Sequence, residues 1–305
     1  MRYVVTGAAG FIGSTLARTL QEAGHDVVGV DCFTDFYDPA EKEENASGLD
    51  VRRLDLAEES LDLDGVGGVF HLAAQAGVRS FGDVFSLYVR RNLVATQRVL
   101  ESAASAGVRV VLASSSSVYG EAEAYPTPED TPMSPISPYG ITKLGCEHLA
   151  HAYSAAYGLD AVVLRYFTVY GPRQRPDMFF RRVCDALLTG EIFEIYGSGE
   201  QSRSFTYVDD AVAATIAAMG GAPAGGVYNV GGGDEASMLE AIALLEQVSG
   251  RKLDVQHVGP AKGDVSRTKA DVARICAALG WEPHTPLGDG LTAMWSWASA
   301  KVAAG

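Results

Sequence analysis

Short apolar runs alternate with amphipathic stretches through the first half of the chain. Runs at 3–5, 27–30, 51–54, 68–72, 108–112 and 161–165 read as buried strands with helical periods between them. That alternation predicts an α/β fold built on a doubly wound parallel sheet. Past Gly171 the alternation loosens and Pro and Gly become frequent, which predicts a smaller C-terminal α/β lobe over the sheet edge. The segment 203–210 with the helix after it, and Val227-Tyr-Asn-Val230, read as returns to the main sheet. The expected division is 1–168 plus about 204–235 for the sheet domain, and 169–203 with 236–305 for the smaller lobe.

Two connections interrupt this pattern. Residues 33–50 form a long acidic link, either a surface loop or part of a site. The proline-rich stretch 125–138 cannot be helical until its end, where Ser137 is placed to cap a helix and Pro138 to occupy its first position. That helix would begin by presenting Tyr139.

Chemistry concentrates in three places. Arg2-Tyr-Val-Val-Thr6 is followed by Gly7-Ala-Ala-Gly10-Phe-Ile-Gly13 and then by a helical run. Strand, glycine turn and helix in that order form a pyrophosphate cradle, because glycines admit close backbone approach and the helix start offers unpaired amides. Asp31 closes the next strand 18 residues beyond Gly13, where a carboxylate accepts a ribose 2′-hydroxyl and repels a 2′-phosphate. This is the Rossmann arrangement, and it favours NAD over NADP.

The second place is Ala113-Ser-Ser-Ser-Ser-Val-Tyr-Gly120, hydroxyls at the carboxyl end of the run 108–112. Open α/β sheets bind ligands at that edge. The third is Tyr139 with Lys143, four apart and so on one helix face. A free phenol titrates near pH ~10 and a neighbouring ammonium favours its ionised form, so such a pair can move a proton near neutrality.

Composition narrows the class. A formal charge of -14 over 305 residues disfavours a nucleic-acid partner. No stretch approaches the roughly 20 apolar residues that cross a bilayer, and the first residues already read as strand and phosphate loop. A cytoplasmic protein without membrane partners is expected. The four cysteines, Cys32, Cys146, Cys184 and Cys276, have no metal-type spacing, so reduced thiols and no metal site are expected.

Together these residues resemble the extended short-chain dehydrogenase/reductase superfamily, and within it the NAD-dependent nucleotide-sugar 4-epimerases. The resemblance runs from Met1 to about Trp297. It includes Thr6-Gly-x-x-Gly-x-x-Gly13, Asp55-Leu56, His71-Leu-Ala-Ala-Gln75, Asn92, the serine run, Tyr139-x-x-x-Lys143, Arg165-Tyr-Phe-Thr-Val-Tyr-Gly-Pro172, and Gly263-Asp264 with Leu279-Gly-Trp281. Two narrower signatures look like UDP-glucuronate 4-epimerases: Asp31-Cys-Phe-Thr-Asp-Phe-Tyr-Asp-Pro-Ala-Glu-Lys42 and Gly171-Pro-Arg-Gln-Arg-Pro-Asp-Met178.

By that resemblance, Gly7, Gly10, Phe11, Ile12 and Gly13 hold the pyrophosphate and Asp31 with Lys42 the adenosine ribose. Asp55 and Leu56 flank adenine. Leu72, Ala73, Ala74, Gln75 and Asn92 run beneath the phosphates and nicotinamide ribose, which Tyr139 and Lys143 grip, and Tyr166 leads the chain past the nicotinamide. Ser115, four before Tyr119, becomes the relay hydroxyl. Ser114, Ser116 and Thr168 would contact the sugar, Arg175 a uronate carboxylate, Arg203 the diphosphate, and Phe179, Ile195, Tyr196 and Asp264 the rest of the sugar nucleotide.

The resemblance implies proton removal from a sugar 4-hydroxyl by Tyr139 through Ser115, a transient 4-ketose, and inversion at C4 with no net redox change. Related sugar dehydratases carry an Asp-Glu pair after the relay hydroxyl and decarboxylases a Glu; Ser116 and Ser117 stand there in this chain. The remaining alternatives are a UDP-glucose/galactose 4-epimerase and a non-catalytic NAD sensor. A homodimer through the helices at 84–106 and 139–157 is typical of such proteins.

Overall fold

A computed structural model describes residues 1–77, 81–260 and 263–304. The first six strands are β1 (Arg2–Thr6), β2 (Asp26–Asp31), β3 (Asp50–Arg53), β4 (Gly68–His71), β5 (Val110–Ser115) and β6 (Ala161–Tyr166). They alternate with α1 (Phe11–Glu22), α2 (Pro39–Ala46), α3 (Phe85–Tyr88), α4 (Ala95–Ala106) and α5 (Pro138–Tyr157). A π-helical stretch, Val89–Val94, joins α3 to α4.

Beyond β6 come β7 (Val169–Tyr170), α6 (Phe179–Thr189), β8 (Phe193–Tyr196), β9 (Ser202–Ser204), β10 (Thr206–Tyr207), α7 (Val208–Gly221) and β11 (Val227–Val230). The chain ends with β12 (Glu235–Ser237), α8 (Met238–Ser249), β13 (Val255–Val258), β14 (Arg267–Thr268), α9 (Ala273–Leu279) and α10 (Leu287–Ala304). No helix among the described residues is long and apolar enough to cross a membrane.

The main sheet has seven strands in the order β11-β6-β5-β4-β1-β2-β3, and its neighbours pair in parallel. β1 sends the chain outward to β2 on one side and its other neighbour is β4, so the strand order reverses there. Connections leave in opposite directions at such a point and open a crevice at the carboxyl ends. Val5, Leu16, Phe70, Leu164 and Val212 close one sheet face, and Val4, Val69, Val99, Leu112 and Val163 the other. A third apolar cluster around Tyr170, Phe180, Phe205, Leu245 and Leu291 supports the three small sheets at the carboxyl side.

The strand and glycine-loop expectations hold, with three differences. The link 33–50 contains α2, whose buried residues are Lys42, Asn45 and Ala46; a largely polar inner face carries no hydrophobic period. β5 continues through Ser115 rather than ending near 112, since the serines extend the pairing with β6 as far as Tyr166. The segment 203–210 divides: β9 pairs with β12 and β14, β10 pairs with β7, and only α7 packs against the main sheet. Val227–Val230 does return to the main sheet, beside β6.

Candidate active site

The glycine loop leaves β1 with Gly7 at φ +71°, a region favoured by glycine. A Cβ on Gly7 would lie 2.9 Å from the Ala73 amide nitrogen, and one on Gly13 would lie 2.1 Å from the Gly7 carbonyl oxygen. The loop is therefore packed to its backbone. Behind it Thr6 Oγ1 accepts from the amides of Leu72 and Ala73 at 3.1 Å each, which joins the ends of β1 and β4.

Thr6 also meets His71 Nδ1 at 2.7 Å, while His71 Nε2 lies 3.0 Å from Thr96 Oγ1. Burial, assisted by the Lys143 charge, pushes His71 down to about 3, so the ring is a neutral structural bridge.

Asp31 receives the amides of Ala9 at 3.1 Å and Phe33 at 2.8 Å, anchoring the start of the 32–38 loop against the glycine turn. Lys42 donates to Thr34 Oγ1 at 2.7 Å and lies 4.7 Å from the Tyr37 ring centroid. Asp55 caps the Ala57 amide at 2.9 Å and pairs with Arg90 at 2.8 Å.

Helix α5 starts as expected: Ser137 Oγ accepts the Gly140 amide at 3.1 Å and Pro138 fills the first turn. This registers Tyr139 and Lys143 on one face. Lys143 is buried; its Nζ donates to the Ala113 carbonyl at 2.7 Å and sits 5.9 Å from the Tyr139 ring centroid. Ser115, at the end of β5, donates to Ser117 Oγ and accepts the Ser117 amide, both at 3.1 Å.

Gly7, Gly13, Asp31, Lys42, Asp55, Ser115, Tyr139 and Lys143 border one cavity of about 750 Å³ at the carboxyl edge of the sheet. The predicted residues that line it are Gly7, Gly10, Phe11, Ile12, Gly13, Asp31, Lys42, Asp55, Leu56, Leu72, Ala73, Ala74 and Gln75, from the ends of β1 to β4 and the connections after them. Ser114, Ser115, Ser116, Tyr139, Lys143, Tyr166, Thr168, Arg175, Phe179, Ile195, Tyr196, Arg203 and Asp264 complete it.

Asn92 is the exception and stands behind the wall. Its side chain accepts the Gln75 amide at 2.7 Å and donates to the Gln75 carbonyl at 3.1 Å and to Thr142 at 2.9 Å, so it shapes Gln75 rather than facing the cavity.

Four further placements give expected site residues partners within the protein. Ser114 borders the cavity, but its hydroxyl donates to Glu147, because alternation along β5 sends Ser114 and Ser115 to opposite faces. The Tyr166 hydroxyl is buried against Thr215 at 2.6 Å, which leaves its backbone as the part passing the cavity. Arg203 pairs with Asp264 at 2.6 Å and donates to the Val265 and Ser202 carbonyls, so these two cavity residues are committed to each other. Arg175 is gripped by Asp177. Burial lowers the Arg175 titration and the Asp177 carboxylate raises it, followed by the Tyr139 and Tyr37 hydroxyls, for a net rise.

Phe36, Tyr37, Arg91, Asp177 and Arg182 line the cavity without having been singled out as site residues. The Tyr37 hydroxyl is buried with no hydrogen-bond partner among the described residues. Asp38-Pro39, a cap followed by a helix-starting proline, was the available signal that the residues around Tyr37 are ordered.

The fold and cavity define a dinucleotide-dependent enzyme of the Tyr-x-x-x-Lys kind. Residues 3–231 match the NAD dependent epimerase/dehydratase family, and the chain belongs to that family; its cofactor is accordingly NAD. It is similar to a Bacillus subtilis (strain 168) protein named as an uncharacterized UDP-glucose epimerase, YtcB, with 42% identity over 96% of each chain. It is 36% identical to the UDP-glucuronate 4-epimerase of Thermodesulfobacterium geofontis (strain OPF15), over 98% of this chain and 97% of that one. Among solved structures, UDP-glucuronic acid 4-epimerase from Bacillus cereus in complex with UDP-glucuronic acid and NAD superposes with a TM-score of 0.95 at 38% identity, covering 99% of this chain and 100% of that one. The chain is thus an isomerase-type enzyme of the nucleotide-sugar 4-epimerase group.

Proposed function

We propose that the chain interconverts UDP-glucuronate and UDP-galacturonate by inversion at C4. The observation that carries this reading is the placing of Arg175 in the same cavity as Ser115 and Tyr139. A guanidinium there matches a uronate carboxylate in charge and in fork geometry.

The glycine loop fits the dinucleotide, since a Cβ at Gly7 or Gly13 would enter the backbone that shapes the cradle. NAD, when bound, supplies a hydride acceptor for C4 and returns hydride to the opposite face. Gly7, Gly10, Phe11, Ile12 and Gly13 hold its pyrophosphate, and Asp31 and Lys42 its adenosine ribose. The Tyr139 phenolic oxygen takes the proton of the sugar 4-hydroxyl, relayed by Ser115, and later gives it back. Lys143, fixed through the Ala113 carbonyl, sets the position of positive charge beside that phenol. Thr168 and Arg175 hold the carboxylate and so restrain a β-keto acid from losing carbon dioxide. Phe179, Ile195 and Tyr196 border the uracil, and Arg203, steadied by Asp264, faces the diphosphate. We also propose a homodimer through the paired helices of 84–106 and 139–157, which leave Phe85, Val94 and Tyr157 exposed.

One observation favours a second reading, UDP-glucose/galactose epimerisation: the Arg175 charge is already balanced by Asp177. The two separate in one experiment. Purified protein is given UDP-glucuronate or UDP-glucose without added NAD and followed by proton NMR. The UDP-galacturonate anomeric signal supports the uronate reading; UDP-galactose alone would overturn it in favour of the second, and no product from either would overturn both.

A further inference from the structure

Two residues beyond Arg175 the chain places a carboxylate in the guanidinium fork. Arg175 Nε donates to Asp177 Oδ1 and Nη2 to Asp177 Oδ2, each at 2.9 Å. Both residues border the cavity that contains Tyr139 and Ser115. Two parallel N–H···O bonds are also what a substrate carboxylate would form at that fork, and one fork edge holds one carboxylate this way.

We propose that Asp177 is a specificity-determining residue, an internal competitor for the carboxylate subsite, and that a uronate binds by exchange with it. This rests on the uronate reading above and deepens it. On binding, the substrate carboxylate takes the fork and Asp177 turns out to water.

Three observations make the exchange physically inexpensive. Asp177 is 41% exposed against 22% for Arg175, so water receives the displaced carboxylate while the guanidinium stays sheltered. The turn around it is closed by backbone bonds from Met178 N to the Arg175 carbonyl and from Gln174 N to the Gly171 carbonyl, so it keeps its shape when the side chain leaves. Phe36 lies beside the guanidinium, with 5.8 Å from Arg175 Cζ to the ring centroid, and remains in place as the anionic partner changes.

Exchange has a consequence for selectivity. Two charge-assisted bonds break as two form, so the gain from a substrate carboxylate is the difference between two pairs rather than the whole of one. A neutral hexose meets a compensated ion pair instead of a bare cation. Asp177 thereby narrows the preference for uronate over neutral sugar.

The test compares the wild-type protein with Asp177→Asn, measuring initial rates against UDP-glucuronate and UDP-glucose concentration. An amide keeps the size of the side chain but not its charge. The ratio of the uronate KM to the hexose KM should fall about tenfold or more in Asp177→Asn, and Asp177→Glu, which keeps a competing carboxylate, should restore a ratio near wild type. A ratio in Asp177→Asn that is unchanged or higher, with uronate still turned over, overturns the inference alone. No uronate turnover in any of these proteins overturns the uronate reading and this inference with it. Should Asp177→Asn fail to fold, Asp177→Ser is read by the same ratio.

Discussion

Arg165 Nη2 lies 2.7 Å from Glu147 Oε2, in an ion pair enclosed directly behind the strand that carries Ser115. The guanidinium Nε reaches both Glu147 oxygens at 3.0 and 3.2 Å, and its Nη1 donates to Tyr119 at 2.8 Å and to the Glu129 carbonyl at 3.0 Å. The same carboxylate accepts the Ser114 hydroxyl. The serine run is thus held from below by charge as well as by strand pairing.

At 4% and 7% exposure the two partners have little water to replace each other. Glu147→Ala should therefore lower unfolding free energy by about 3–5 kcal/mol, measured by urea denaturation. A Glu147→Leu, Arg165→Met double variant should recover most of the loss. Equal losses in the single and double variants would contradict this account of the pair.

His71 gives stability a defined pH dependence. Its folded value is about 3 against an ordinary 6.5, so between those values the unfolded chain binds the extra proton. The contribution is fully present above about pH 6.5 and falls as pH drops toward 3, by up to about 1.4 kcal/mol per pH unit. Glu235, pulled to about 2 chiefly by its Arg267 hydrogen bond, adds its loss only between its ordinary 4.5 and about 2. Denaturation midpoints compared between pH 7 and pH 5 should show a slope that His71→Gln flattens.

Gly13→Ala would set a methyl 2.1 Å from the Gly7 carbonyl oxygen, which is backbone and cannot rotate away. The loop must open, at a cost of about 1–3 kcal/mol. Thermal melting should reveal the destabilisation, and NAD released by denaturing the purified variant should be well below that of the wild type.

Tyr139→Phe removes the oxygen proposed to carry the proton and keeps the ring that packs edge-on to Tyr88 at 6.5 Å. The loss should fall on kcat, by about 10²–10⁴-fold, with little change in KM. Steady-state kinetics separate this from a binding defect, which would raise KM instead.

What could be read from sequence was what is written locally. The glycine loop, Asp31, the Ser137-Pro138 cap and the Tyr139-Lys143 spacing each lie within one turn or strand, and the structure brings the glycine loop, Asp31, Tyr139 and Lys143 to one cavity edge. What escaped depends on polar residues doing interior work. Helix α2 buries Lys42 and Asn45, so hydropathy could not outline it. Polar serines continue β5 past Leu112, and that extension decides that Ser115 faces the cavity while Ser114 turns to Glu147. Asn92 matches its motif yet acts through the Gln75 backbone, a contact across 17 residues that no spacing rule conveys. The Asp177 grip on Arg175 depends on a turn geometry that appears only on folding.

In the proposed reaction hydride leaves C4 and comes back to the same carbon without reaching water, while Tyr139 handles only the hydroxyl proton. UDP-glucuronate carrying deuterium at C4, incubated with the enzyme in ordinary water and examined by mass spectrometry and NMR, tests this most directly. The expected product is 4-epimer that keeps its deuterium at C4. Product in which solvent hydrogen has replaced it would contradict the account.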